Sequence, residues 1–194
     1  MVRFFTLLTF VGFLAACSPL VGGEIGARQF FDLETGVLGK IGGDTPHDYV
    51  LVPTSFSWRS REMFGWSLDD GARLLVRNRV TLIAQAYAEG PETIYGGFSF
   101  SPSLEYWNAA GTWSVFAGAG GGLGWLDYQE DVPGAMGQSL TLNWFGRLGV
   151  AFGVNDHMEV RLAAMFQHMS NGGMSDPNPG LDSLGGTIGL TWRF

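Results

Sequence analysis

The side chains best able to do chemistry gather near the C-terminal end of this chain. His168, Ser170 and Asp182 bring an imidazole, a hydroxyl and a carboxylate into one short stretch. A serine hydroxyl is a weak nucleophile until an imidazole takes its proton, and an acid fixes the imidazole in the tautomer that can do so. His168 and Ser170 are two positions apart, so on an extended strand they share a face. Between them and Asp182 runs a segment with Gly172, Gly173, Pro177, Asn178, Pro179 and Gly180. Residues of this kind reverse a chain, which would bring the acid back beside the imidazole.

Parity sharpens the expectation. His168 and Ser170 are in phase with Leu162, Ala164 and Phe166, and Asp182 is in phase with Leu184, Ile188, Leu190 and Trp192. All three polar groups therefore fall on the apolar face of two neighbouring strands. Polar groups facing lipid are costly, and that cost points to a function. The plainer reading is a polar barrel rim, where such residues are cheap.

The elements that would position this trio read as long strands. From Thr112 to Tyr128, one face carries Trp113, Val115, Ala117, Ala119, Gly121, Leu123 and Trp125, and the other is small or polar. Trp113 and Trp125 would lie roughly 28 Å apart along a membrane normal, the spacing of the aromatic girdles of a membrane barrel. The same alternation gives eight strands, at about 26–38, 48–59, 72–88, 95–107, 112–127, 138–153, 157–170 and 183–194. The first is the weakest, because Asp32, Glu34 and Gly36 interrupt it. Pro102 is awkward in the fourth, since it cannot donate to a ladder. The polar faces carry Arg77, Arg79, Glu105, Arg147, Glu159 and Arg161, charges that can pair across a narrow lumen. Strands of about 11 to 16 residues, apolar faces rich in Trp, Phe and Leu, and a last strand ending in Phe194 select a membrane barrel over a soluble one. The expected fold is all-β, an eight-stranded antiparallel up-and-down transmembrane barrel in a bacterial outer membrane. Such a barrel is filled by its own side chains, so function must lie on its wall or rim. The loops near 89–94, 128–137 and 171–181 would face outside the cell, and the turns at Asn108–Gly111 and Val154–Asp156 the periplasm.

Composition agrees and excludes other classes. Lys and Arg total 11 against 18 Asp and Glu, for a net charge of −7, which argues against nucleic acid as a partner. Charged residues are only 15% of the chain and glycines number 30. Past the first twenty residues no apolar run reaches the roughly 18 needed for a spanning helix. Those first residues read as a signal peptide, with Arg3 followed by an apolar run from Phe4 to Leu14. The sequence Leu14-Ala15-Ala16-Cys17 resembles a lipobox, which implies diacylation at Cys17, the sole cysteine. Residues 1–16 would then be removed and residues 17–194 form one barrel domain. By the same resemblance, Ser18 after the cysteine favours the outer membrane.

His168-Met169-Ser170-Asn171-Gly172-Gly173, followed by Pro177-Asn178-Pro179-Gly180-Leu181-Asp182, resembles the signature of the lipid A 3-O-deacylases (PagL-type). Those enzymes are eight-stranded outer-membrane barrels with a Ser-His-Glu triad facing lipid. The resemblance implies Ser170 as nucleophile, His168 as general base and Asp182 in the place of the acid. It further implies Gly173 and Asn178 at the oxyanion hole and Asn171 as a motif residue. Two departures stand out: the acid is Asp where the best-known members have Glu, and the lipobox replaces a plain signal peptide. The substrate implied is lipid A of the outer leaflet, cleaved at its 3-O-linked acyl chain. No cofactor or metal is called for, and a homodimer is compatible with this reading.

Competing readings are a phospholipase or general esterase on the same barrel, a non-catalytic barrel for adhesion or membrane support, and a lipoprotein lipocalin. A lipocalin would need its apolar faces turned inward. His47 and His157 stand apart from any zinc-ligand spacing. Gly118 to Gly124 lacks the Lys-Ser/Thr of a phosphate loop, and Met158, Met165 and Met169 read as filler.

Overall fold

The computed structural model describes residues 22–194; the signal segment and Cys17 lie outside them. A short helix α1 (Gly22–Ala27) precedes nine strands: β1 (Phe30–Gly42), β2 (Val50–Arg59), β3 (Phe64–Ser67), β4 (Arg73–Glu89), β5 (Ile94–Trp107), β6 (Trp113–Leu126), β7 (Leu140–Asn155), β8 (Met158–Ser170) and β9 (Leu181–Arg193). All pairings are antiparallel. Eight strands follow one another round the sheet, β1 pairs with β9, and β2 pairs with β4, so the sheet closes on itself. Closure gives each of the eight barrel strands a paired neighbour on both sides, the condition for a strand to sit in lipid.

The two faces of the wall sort as the alternation dictates. Leu33, Leu82, Phe98, Leu148, Phe152 and Ile188 are exposed on the outside, which is the reverse of a lipocalin. Inside are the charges. Arg59 donates to Asp32 at 2.9 Å and to Glu105 at 2.7 Å. Arg147 grips Glu34 through two bonds of 2.9 and 2.8 Å, and Arg79 bonds the same carboxylate. Arg193 donates to Glu159 at 3.0 Å, and Arg161 lies 3.8 Å from the Phe116 ring centroid. A buried charge is tolerable only when paired and hydrogen-bonded, and these charges are paired across the lumen.

Three details differ from the sequence reading. First, β1 runs from Phe30 to Gly42 rather than 26–38. The residues that weakened it in the sequence, Asp32 and Glu34, are the interior carboxylates of the network. The chain before it folds under the barrel as α1, where Ile25 packs with Phe30, Leu75 and Trp107. Arg77 holds it there, donating to the carbonyls of Ile25 at 2.5 Å and Arg28 at 2.9 Å. Second, β3 was not anticipated. At 17 residues β4 outruns β2, and Phe64–Ser67 takes up the free edge at Arg73–Val76. Third, Pro102 finds its place in a gap: the β5–β6 register passes from Phe100 to Ser103 without pairing Ser101 or Pro102, so no ladder bond needs the missing N–H.

At the end of the barrel that carries the 171–180 segment, the connections bind one another. Asp127 accepts bonds from the Thr93 and Ile94 N–H groups at 3.0 and 2.9 Å and from the Thr93 hydroxyl. Buried Glu92 accepts from the Tyr49 hydroxyl at 2.8 Å and from the Met136 N–H at 3.2 Å.

Candidate active site

His168 stands near the end of β8, and the β8–β9 register sets Asp182 directly opposite it. Direct partners on one face approach to about 5 Å between Cβ atoms, which is within reach of a short acid. Asp182 Oδ1 lies 2.6 Å from His168 Nδ1. A carboxylate can only accept, so Nδ1 carries the proton and Nε2 is left as the basic nitrogen. Direct cross-strand pairing thus lets an acid as short as Asp reach the imidazole. Both side chains remain partly exposed on the outer wall, at 27% and 33%.

Glycines stand beside this pair. A bulge in β1 between Lys40 and Gly42 brings Gly42 opposite Asp182, and a Cβ added there would stand 3.2 Å from Asp182 Oδ2. Gly180 has φ of +62°, and a Cβ there would touch His168 Cε1 at 3.5 Å. On the other side, β7 places Trp144 opposite His168. The indole stacks on the imidazole with centroids 5.7 Å apart and planes 30° apart, and it also leans on Phe166 at 4.9 Å.

Ser170 closes β8 on the same face as His168, paired with Leu142 and half-buried. Among the described residues no hydrogen bond joins Ser170 to His168. Catalytic hydrogen bonds are often open without substrate and tighten when it arrives.

The 171–180 segment is organised by Asn171, which is fully buried. Its N–H donates to Asn178 Oδ1 at 2.9 Å, its Nδ2 donates to the carbonyls of Ser175 and Pro177 at 2.8 and 3.1 Å, and its Oδ1 accepts the Gly173 N–H at 2.9 Å. Gly172 and Gly173 take φ of +66° and +75°, a conformation glycine enters without strain. Asn171 therefore holds the loop's shape. The Gly173 N–H is engaged with it, and Asn178 is exposed with its oxygen occupied, so its Nδ2 hydrogens are the loose donors here.

Two register positions from His168 along β7 and β8, small side chains open a trough of about 650 Å³ in the outer wall. Ala117, Ala119, Gly146 and Ala164 floor it, and Leu104, Leu148, Phe166 and Leu184 wall it. The remaining histidines lie elsewhere: His47 bonds the Pro133 carbonyl at 3.0 Å, and His157 sits in the turn between β7 and β8.

Sequence reasoning placed His168, Ser170 and Asp182 on one face, and the structure brings His168 and Asp182 into contact there with Ser170 beside them. Sequence reasoning missed Trp144, Gly42 and Gly180 as neighbours. Trp144 was visible only as one apolar residue in an alternating run, and cross-strand register is what makes it a neighbour of His168.

Comparison with known proteins gives two kinds of likeness. The family described as lipid A 3-O-deacylase (PagL) matches over residues 53–191. Among solved structures, the outer membrane enzyme PagL superposes with a TM-score of 0.50 at 21% identity, covering 84% of this chain and 98% of that one. Neisserial surface protein A (NspA) gives 0.49 at 16% identity, covering 87% and 97%. Comparison with curated proteins by sequence gave no match.

Proposed function

The chain belongs to the lipid A 3-O-deacylase (PagL) family of outer-membrane enzymes, and we propose that it acts as a serine esterase on the 3-O-linked acyl chain of lipid A. The observation that carries this is the 2.6 Å bond from His168 Nδ1 to Asp182 Oδ1 on the outer wall, with Ser170 on the same strand face. Ser170 Oγ attacks the ester carbonyl while His168 Nε2 takes its proton, and the proton passes to the departing sugar oxygen. Water then attacks the acyl-enzyme by the same route and releases the fatty acid. Asp182 orients the imidazole and balances the charge it gains.

The oxyanion is served from the 171–180 segment. Asn178 Nδ2 is the first donor, and the Gly173 N–H joins once it is released from Asn171. The fatty chain lies in the trough floored by Ala117, Ala119, Gly146 and Ala164, which an apolar tail fills without burying a charge. Lipidation of Cys17, after removal of residues 1–16, would add a second tie to the membrane.

The deciding experiment is mass spectrometry of lipid A from cells expressing the protein. Loss of one 3-O-acyl chain is expected with the wild type and not with Ser170→Ala or His168→Ala, both of which should still show the heat-dependent gel shift of a folded barrel. Full activity in Ser170→Ala would overturn the proposal. Release of fatty acid from glycerophospholipids with lipid A left intact would move the assignment to a phospholipase.

A further inference from the structure

His168 is held on two sides, and only one of the two holds belongs to the expected machinery. Asp182 bonds Nδ1 from β9, and Trp144 stacks on the ring from β7. Among the described residues Nε2 has no partner within the chain. Asp182 is the one charged group bonded to the ring, so the charge that appears on the imidazole when it takes a proton meets a carboxylate at its edge and an indole at its face. The face of an indole is the negative pole of its quadrupole, and a cation within about 6 Å of the ring centroid is attracted to it. Trp144 meets that distance at 5.7 Å. The indole also packs against Phe166, with ring centroids 4.9 Å apart.

We infer that Trp144 is a positioning residue of the reaction: its indole, laid on His168, fixes the ring plane that aims Nε2 at Ser170 and stabilises the imidazolium formed in the transition state. The inference rests on the serine-esterase reading above. It assigns Trp144 more than a place in the aromatic girdle. A girdle residue anchors the barrel at the interface and is indifferent to which side chain lies beside it. This indole is in register with the general base.

The test separates chemistry from lipid packing by using a small fluorophosphonate. Its reaction with Ser170 forms an O–P bond, breaks the P–F bond, releases fluoride and sends the hydroxyl proton to His168. The probe carries no long acyl chain, so altered packing in the trough does not affect it. Trp144→Leu, which keeps an apolar side chain facing lipid, is expected to label Ser170 about 3- to 30-fold more slowly, the range set by a desolvated cation–π contact. With lipid A the same variant should lose kcat in proportion and keep its KM within about 2-fold, as expected when an interaction made only in the transition state is removed. Trp144→Phe, which keeps a π face, should recover most of the rate. Trp144→Met repeats the test with a more flexible side chain. Wild-type labelling rates in Trp144→Leu and Trp144→Met overturn the inference, as does a change confined to KM. Absence of labelling at Ser170 in the wild type removes the nucleophile and so defeats the underlying reading as well.

Discussion

At the residue scale, the site depends on small spaces as much as on reactive groups. Asp182 reaches His168 because it is its direct cross-strand partner, and its second oxygen has room because residue 42 is glycine. Gly42→Val should push the carboxylate off Nδ1 and lower the deacylation rate about as much as Asp182→Ala, without unfolding the barrel. Rates on purified lipid A for the two variants test this, and a fully active Gly42→Val would show the contact to be loose. Asp182→Ala should in turn do less harm than Ser170→Ala, because the acid orients the base and does not react; in a serine protease the acid is the least damaging of the three to lose. Asn171→Ala should impair activity through the loop, since it removes at once the three side-chain donor bonds that hold the loop's shape. The shared face of His168, Ser170 and Asp182 was legible because a period of two assigns faces without knowledge of register. Trp144, Gly42 and Gly180 were not legible, because register depends on turn lengths and on a bulge that no local pattern announces.

At the scale of elements, the strands were legible where one face is apolar throughout and obscured where function of another kind intrudes. In β1 the polar residues looked like breaks in a strand, yet Asp32 and Glu34 face the lumen and are the partners of Arg59, Arg79 and Arg147. Helix α1 escaped notice because six residues carry too little periodicity to read. The β4–β5 connection shows how a single side chain sets a turn. Burial alone would raise the pKa of Asp127, but bonds from the Thr93 hydroxyl and the Ile94 and Thr93 N–H groups outweigh it and hold the carboxyl below its usual value. A depressed carboxylate contributes stability that is present above its unfolded pKa and lost as pH falls through the folded one. This turn should therefore stay ordered at neutral and mildly acidic pH and loosen only in stronger acid. Amide exchange at Thr93 and Ile94 is the measurement, and Asp127→Ala should show the loosened behaviour already at neutral pH.

At the scale of the whole molecule, the barrel is a lipid-facing shell around an ion-paired interior. Glu34 is shared by three cations, Arg79, Arg147 and Arg161. Glu34→Ala strips Arg147 of its carboxylate and leaves Arg79 and Arg161 only their longer pairs with Asp32 and Glu159, and should cost about 3–5 kcal/mol, read as a lower temperature for the heat-dependent gel shift. If Cys17 is the processed residue, the intact mass of the purified protein should carry a diacylglyceryl group, and any other mature N-terminus refutes it. One further consequence follows from the placement of His168 and Asp182 on the outside of the wall. A site inside a cleft samples its substrate from three-dimensional solution. This one meets only molecules that drift sideways against the barrel within a sheet of lipid. Its turnover should then follow the mole fraction of substrate in the surrounding bilayer or micelle, so adding inert detergent at constant bulk substrate slows it by surface dilution alone.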